Sequence, residues 1–207
     1  IDRIYLLEAL NHLYDVRFQK LVISLLADEN KSVRIYAIKC VIDNDIKEAS
    51  SAIKRLVSDD RNDEVRMRGI DALVHFKDTG SGSIVAGLLK EGNKELSLAA
   101  IKALRNLKYS NSAAALSDML LKEKDTELKE TVIDALIGFG KAGNIEGLKK
   151  VATKDEDPLM RVKAIYALGD VSEEKTTMDI IALALSDSDY RVRGEACSSL
   201  GKMRKSR

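Results

Sequence analysis

The chain has 207 residues, of which 45% are hydrophobic, 32% charged and 4% aromatic, and it contains one Pro and no Trp. Its 34 basic and 33 acidic side chains leave a net charge of +1, which excludes the strong uniform field through which proteins attract nucleic acids or anionic membranes. The composition therefore predicts neither a nucleic-acid partner nor a membrane partner. Because helix breakers are scarce and the hydrophobic fraction is too high for a disordered chain, the sequence predicts an all-α protein.

A short pattern recurs six times along the chain. Each copy has a large apolar residue, here called the anchor, then a small or β-branched residue four positions later and an aliphatic residue four positions beyond that. The anchors are Val33, Val65, Leu96, Leu128, Met160 and Val192. Their numbers differ by 32, 31, 32, 32 and 32, and self-similarity at a fixed period in this range indicates stacked repeats.

The repeat predicts the order of elements along the chain. Residues 1–14 have the register of a second helix that lacks its first helix, so they are predicted to form half a repeat. Six units of two helices follow, at about 15–46, 47–78, 79–109, 110–141, 142–173 and 174–207. No linker interrupts them, so we expect one continuous repeat domain over 1–207. Because neither end has a polar capping unit, we also expect that the chain belongs to a longer solenoid or self-associates through its amino-terminal end.

The last unit illustrates how each repeat is predicted to fold. One face of its first helix is apolar, at Ile180, Ile181, Ala184 and Leu185. Residues 186–189 alternate Ser and Asp, which favour turns and helix N-caps. One face of its second helix carries Val192, Ala196, Cys197 and Leu200. Each unit is therefore predicted to be a hairpin of two short helices, which buries its apolar faces by stacking on its neighbours.

In every copy, the residue directly after the anchor has an acidic residue six positions before it. In four copies that following residue is Arg, which gives Asp28 with Arg34, Asp60 with Arg66, Asp155 with Arg161 and Asp187 with Arg193. We expect the acid in the turn before the second helix and the Arg in that helix's first turn, where its planar fork suits a carboxylate. These pairs are predicted to form a structural ladder that joins the repeats, in preference to an anion-binding row, because each Arg has an acid in its own copy. Ser97 and Lys129 replace Arg in units three and four, so the ladder is predicted to weaken there.

In this pattern the chain resembles the HEAT-repeat proteins. It is most similar to the short HEAT-like repeats of phycobilisome lyase subunits, whose pattern is roughly D-x-x-x-x-V-R-x-x-A-x-x-A-L-G. Residues 155–169 and 187–201 match this pattern best, and the resemblance covers nearly the whole chain. It implies a right-handed α-solenoid of stacked two-helix repeats, with the second helices on the concave side. Such repeats occur in lyases, scaffolds, adaptors and transport factors, so the resemblance implies the fold more specifically than the function.

No arrangement of residues in the sequence predicts catalysis. His12 and His75 lack a second ligand at metal-binding spacing. Cys40 and Cys197 lie five repeats apart, too far for a disulfide, and on the apolar sides of their helices, so we expect buried, inert thiols. The chain is therefore predicted to be a protein without enzymatic activity, metal or cofactor. Free thiols, together with the lack of a signal peptide and of an apolar run of about 20 residues, predict a cytoplasmic protein.

The remaining signal lies on the outward face of the second helices. At 100° per residue, positions two, three and six after the anchor point away from the core. The predicted partner-binding residues at these positions are Ile35, Tyr36, Lys39, Met67, Arg68, Leu98, Lys102 and Tyr166. The apolar row of Ile35, Met67 and Leu98 has two interpretations, an interaction groove or packing between neighbouring second helices, and the sequence leaves both open.

Two functional hypotheses follow from the sequence. The first is a non-enzymatic scaffold or adaptor that binds a helix or extended segment of a protein along the concave face of the solenoid. The alternative, implied by the family resemblance alone, is an accessory subunit of a bilin (tetrapyrrole) lyase or isomerase.

Overall fold

A computed structural model of the chain describes residues 2–12, 15–143, 145–171 and 175–205. These residues form thirteen α-helices and contain no β-strand, so the predicted all-α fold is confirmed. The helices are α1 (Asp2–His12), α2 (Gln19–Leu25), α3 (Lys31–Asp43), α4 (Ser50–Asp59), α5 (Asp63–His75), α6 (Gly82–Gly87), α7 (Lys94–Asn106), α8 (Ala113–Lys122), α9 (Thr126–Gly138), α10 (Glu146–Lys154), α11 (Pro158–Val171), α12 (Lys175–Leu183) and α13 (Tyr190–Lys205). Residues 1, 13 and 14 of the predicted half repeat lie outside the described residues.

The chain forms two compact units, Ile1–Leu107 and Lys108–Arg207. In the first unit the second helices α1, α3, α5 and α7 pack side by side in one layer, and α2, α4 and α6 each pack against the second helix that follows them. In the second unit α9, α11 and α13 form the corresponding layer, and α8, α10 and α12 form the other. Each unit is therefore a stack of helical hairpins in two layers, the arrangement that the repeat predicts.

The repeat register determines which residues are buried. All six anchors are buried, with at most 6% of their surface exposed, and the position four residues later is buried in every copy. In the second copy this position is Gly69, where an added Cβ would lie 2.7 Å from Val57 Cγ2 on the preceding helix. The small residue thus lets the two helices of one hairpin approach closely, since any larger side chain would force them apart.

Four second helices, α3, α5, α7 and α9, are each followed by a residue with positive φ at the same place in the repeat. These residues are Asp45, Lys77, Lys108 and Gly140, with φ between 51° and 56°. After the first of them, the Ile46 N–H donates to the Val41 carbonyl at 2.9 Å, the long-range bond of a Schellman cap. Only one of the four is the glycine that this conformation favours, so the sequence did not reveal the caps.

Candidate functional site

The ladder residues form bidentate ion pairs between successive repeats. Arg34 Nε and Nη2 donate to the two carboxylate oxygens of Asp60 at 2.7 and 2.9 Å, and both side chains are at most 6% exposed. Arg34 Nη1 donates to the backbone carbonyls of Asp28 and Glu29, in the turn of its own repeat, at 2.7 and 3.1 Å. A single guanidinium therefore fixes its own turn and binds the turn of the next hairpin.

Bidentate pairs recur in both compact units. Arg161 repeats the Arg34 geometry, whereas Arg66 binds its carboxylate through Nη1 and Nη2 and donates from Nε to the Val57 carbonyl at 3.0 Å. Arg66 binds Glu91 with two bonds of 2.6 and 2.7 Å, and Arg161 binds Asp187 with two bonds of 2.8 and 2.9 Å. The hydrogen bonds from these arginines hold the pKa of the Glu91 and Asp187 carboxyls below their usual values. The ladder is thus strongest where the full Arg–carboxylate pair is present.

The units that lack Arg depart from this geometry. Lys129 keeps one bond, from its Nζ to Asp155 at 2.6 Å. Ser97 cannot supply a charged donor to any carboxylate. The predicted weakening of the ladder therefore has a direct chemical basis in these two side chains.

The pairing within each copy that the sequence suggested is corrected by these contacts. Arg34 and Arg161 contact only the backbone carbonyl of the acid six residues earlier, and their carboxylate partners belong to the next repeat. Asp60 accepts the backbone N–H of Asn62 at 2.9 Å as well as the two bonds from Arg34, so its carboxylate is fixed in the turn of the next hairpin. A helical side chain points towards the amino end of its helix. The guanidinium of Arg34 therefore lies over the turn of its own repeat, and its Nε and Nη2 face the next hairpin.

A surface pocket of about 390 Å³ lies over α3 and α5 in the first compact unit, and we call it the α3–α5 pocket. It is lined by six residues of α3 and two of α5, namely Ile35, Tyr36, Ile38, Lys39, Ile42, Asp43, Arg68 and Asp71. The buried Ile38 forms its floor, while the exposed Lys39 and Arg68 lie at its rim. The pocket therefore combines apolar contact area with charged groups in a concave site.

Four of the eight predicted partner-binding residues line this pocket, namely Ile35, Tyr36, Lys39 and Arg68. Met67 and Leu98 are half-buried on α5 and α7, and Lys102 is exposed on α7, but none of the three belongs to the lining. Tyr166 lies in the other compact unit, 43% exposed, with the Lys202 ammonium 4.5 Å from its ring centroid. The structure thus brings together the predicted residues of the first unit's α3 with one residue of α5.

The charges around the α3–α5 pocket are partly paired. Arg68 Nη1 lies 3.6 Å from Asp71 Oδ2, and both side chains remain more than half exposed. The surrounding helices nevertheless desolvate Asp71, which raises the pKa of its carboxyl, although Arg68 opposes this. Asp43 accepts a hydrogen bond of 2.7 Å from Asn11 Nδ2 on α1. Sequence reasoning did not single out Asp43, because its contact with α1 depends on how the half repeat packs and leaves no pattern within α3.

A second pocket, of about 560 Å³, lies between α2 and α4 and the turns that follow them; we call it the α2–α4 pocket. Its apolar lining comes from Ile23, Leu26, Ala27, Ala52 and Leu56, and the Arg34–Asp60 pair forms part of its wall. Sequence reasoning missed it, since no residue pattern marks the space between neighbouring first helices. This pocket is the larger of the two, but the Arg34–Asp60 ion pair in its wall is already satisfied within the protein, so the α3–α5 pocket is the better candidate for a binding site.

The histidine and cysteine side chains that the structure describes are those of His75, Cys40 and Cys197. No group of three or more potential metal ligands occurs within the part of the chain that the structure describes. His75 Nε2 lies 3.6 Å from Asp45 Oδ1, and the side chain of His12 lies outside the described residues. Cys40 is buried, and this burial raises the pKa of its thiol.

The expectation of a buried thiol at Cys197 was wrong, because this side chain is exposed. Its position, five after the anchor, is covered in earlier repeats by the next hairpin, and no helix follows α13 among the described residues. None of the described helices is both long and apolar enough to cross a membrane.

Comparison with solved structures shows the same architecture. An engineered protein is 17% identical with a TM-score of 0.62, over 90% of this chain and 96% of its own. The CpcE–CpcF complex of phycocyanin lyase from Nostoc sp. PCC7120 is 20% identical with a TM-score of 0.59, over 88% and 76%. Computationally designed armadillo repeat proteins for modular peptide recognition are 15% identical with a TM-score of 0.63, over 88% and 98%. These identities show a common fold and nothing beyond it.

Comparison of sequences identifies the family. A search among curated proteins found no significant match. The family profile described as HEAT repeats matches residues 18–96, 53–137, 81–161 and 145–207, which together span residues 18–207. The period, the two-layer hairpins and the Arg–carboxylate ladder all agree with this match, and the chain therefore belongs to the HEAT-repeat family.

Proposed function

We propose that the protein is a non-enzymatic scaffold or adaptor that binds a helix or extended segment of a partner protein in the α3–α5 pocket. The observation that carries the proposal is the convergence of predicted residues from two repeats, Ile35 and Tyr36 on α3 and Arg68 on α5, on one concave site. Tyr and Arg beside buried aliphatic groups are the residue types that dominate binding energy in protein interfaces.

The size and chemistry of the pocket support a peptide ligand. Its volume of about 390 Å³ lies in the range of binding sites that hold a few side chains. Tyr36, half-buried on α3, offers an aromatic face, and Ile38 offers an apolar floor. Lys39 and Arg68 can pair with carboxylates of the segment at the rim, where such contacts favour orientation more than affinity.

The similar designed armadillo repeat proteins were made for modular peptide recognition, and their likeness supports a peptide-binding surface by analogy of fold. In a helical solenoid the exposed positions of successive repeats form a continuous surface, which suits an elongated segment. The half-buried Met67 and Leu98 would then support neighbouring second helices, so packing is the better interpretation for these two residues.

A peptide-library selection on the purified chain tests this proposal. Peptides that bind the wild-type chain should lose about tenfold or more in affinity to the Tyr36→Glu variant, because a carboxylate replaces aromatic contact area at the centre of the pocket. The matched control is Tyr190→Glu, since Tyr190 is 72% exposed and lies in the other compact unit.

Circular dichroism and thermal melting must show that both variants fold. Peptides that bind the wild-type chain and the Tyr36→Glu variant equally would contradict the proposal. A collapse of stability in Tyr36→Glu alone would also contradict it, because Tyr36 would then be a core residue.

The alternative hypothesis, an accessory subunit of a bilin lyase or isomerase, has one point of support: a phycocyanin lyase complex shares the fold. It predicts a change in the visible absorption of a bilin on mixing with the chain. Unchanged spectra with several bilins would count against it, whereas a change abolished by Tyr36→Glu would place the bilin in the α3–α5 pocket.

A further inference from the structure

The outward face of the second helices is basic in the first compact unit and acidic in the second. Positions three, six and nine after the anchor on α3, α5 and α7 carry four bases and one acid, namely Lys39, Arg68, Lys102, Arg105 and Asp71. The same positions on α9, α11 and α13 carry one base and two acids, namely Lys163, Asp134 and Glu195. The first unit therefore presents an excess of positive charge on this face, although the whole chain is nearly neutral.

Three of the four bases on this face are available to a ligand. The side chains of Lys39, Lys102 and Arg105 are exposed, and they contact no carboxylate within the part of the chain that the structure describes. Arg68 has only its long, exposed pair with Asp71, at 3.6 Å. A carboxylate brought by a ligand would therefore meet cations that are not already neutralised.

The free cations lie a defined distance apart. Lys39 and Lys102 occupy the same position of their repeats, two second helices apart, because α5 packs between α3 and α7. Packed helix axes are about 8–10 Å apart, so the two residues are separated by about 16–20 Å. An extended chain rises about 3.3 Å per residue and covers this distance in about five or six residues. A helix, which rises about 1.5 Å per residue, needs about 11–13.

This inference rests on the proposed function and names the chemistry of the partner. We infer that the bound segment is extended and acidic, with one carboxylate paired to Lys39 and a second paired to Lys102 and Arg105, about five or six residues away. The charges favour this occupant, because the acids of the α3–α5 pocket already have partners. Asp43 accepts the bond from Asn11, and Asp71 lies beside Arg68.

The shape of the pocket favours an extended segment over a helix. The floor residue Ile38 is 1% exposed, so a ligand must come close to the surface of α3 to contact it. An extended backbone needs only about 4.8 Å between neighbouring chains. A helix is about 10–12 Å across, which keeps most of its backbone away from a pocket of this size.

Selection from a random peptide library on the purified full chain tests the inference. Peptides enriched on the wild-type chain should share two acidic residues about five or six positions apart. Selection on the variant with Lys39→Gln, Lys102→Gln and Arg105→Gln should lose this pattern. The matched control removes three exposed lysines of the second unit by Lys122→Gln, Lys150→Gln and Lys154→Gln, and it should keep the pattern.

A cycle of substitutions then assigns each carboxylate to its partner. Replacing either acid of a selected peptide with its amide should weaken binding by about twofold to fivefold, as expected for partly exposed ion pairs. In Lys39→Gln one of these replacements should lose its effect, and in the Lys102→Gln, Arg105→Gln variant only the other should. Fluorescence anisotropy at low ionic strength, where screening is weakest, gives the affinities.

The outcomes separate this inference from the proposed function. Selected peptides that depend on Tyr36 but lack the paired acids would overturn the inference and leave the proposed function standing. So would amide replacements that cost the same in the wild-type chain and in both variants. Acids about eleven or more positions apart would indicate a helix and would overturn the extended segment. A library that yields no Tyr36-dependent peptide would overturn both.

Discussion

The second-helix faces of the two compact units use equivalent positions for different contacts. On α3, the positions two and three after the anchor are Ile35 and Tyr36, which line the α3–α5 pocket. On α9 and α11 the corresponding positions include Glu130 and Lys163, whose side chains form an ion pair of 2.9 Å. The repeat therefore keeps the buried positions alike and leaves the outward positions free to differ.

Beneath these faces the two units share the same structural contacts. Each has bidentate Arg–carboxylate pairs between hairpins, and each has left-handed residues at the ends of second helices. We accordingly expect substitutions in these structural contacts to lower the stability of both units. Substitutions at the outward positions should affect binding in the first unit only.

The largest expected effect comes from breaking the buried ladder. Arg34→Ala should lower the free energy of unfolding by about 3–5 kcal/mol, because Asp60 would remain buried without its partner. Arg161→Ala should cost less, about 1.5–3 kcal/mol, since Arg161 and Asp187 are 11% and 15% exposed. Chemical denaturation of both variants measures the difference. Equal, negligible losses would show that the ladder does not hold the hairpins together.

The second largest expected effect is a difference in peptide affinity between substitutions on the outward faces of the two units. Peptides selected on the wild-type chain should bind Tyr166→Glu with unchanged affinity and Tyr36→Glu about tenfold or more weakly. Tyr166 is a suitable comparison because it is also an outward tyrosine of a second helix, 43% exposed. Fluorescence anisotropy with a labelled peptide gives both affinities. A larger loss in Tyr166→Glu would move the binding face to the second unit.

A smaller effect tests the shared left-handed caps. Lys77→Gly should stabilise the chain by about 1 kcal/mol, because Lys77 has a φ of 52° that costs a side-chain-bearing residue free energy. Gly140→Ala should destabilise it by a similar amount, since φ there is 56° and an added Cβ meets no atom within 4 Å. Thermal melting should thus shift in opposite directions. Shifts of the same sign would show that the backbone conformation is not the cause.

The smallest expected effects are changes in stability with pH, and they have opposite signs at Asp187 and Asp71. The pKa of Asp187 is lowered by its bonds from Arg161, so its contribution to stability is present above the ordinary value of 3.8 and is lost as the pH falls through the lowered pKa. The pKa of Asp71 is raised by desolvation, so its ionisation opposes folding above that raised pKa. Asp187→Asn should lower the melting temperature at pH 7, and Asp71→Asn should leave it unchanged or raise it slightly. Both differences should shrink below pH 3.8; differences that persist there would have another origin.

The repeat period made much of the fold predictable, because each anchor, such as Val33, imposes the same burial on every copy. The ladder arginines were predictable as a set, but the partner of Arg34 was not, since side-chain direction decides between the acid of its own turn and Asp60 of the next. The pocket was predictable through Tyr36, which is polar and aromatic at an outward position. Asp43 was not predictable, because its partner lies on another helix.

The most direct test of the central claim is chemical-shift mapping on the isotopically labelled full chain, titrated with a peptide selected on the wild-type protein. The α3–α5 pocket predicts that the perturbed backbone amides cluster at residues 35–43 and 68–71. Perturbations confined to α9 and α11, or to the α2–α4 pocket, would contradict the claim that α3 and α5 form the protein-binding site.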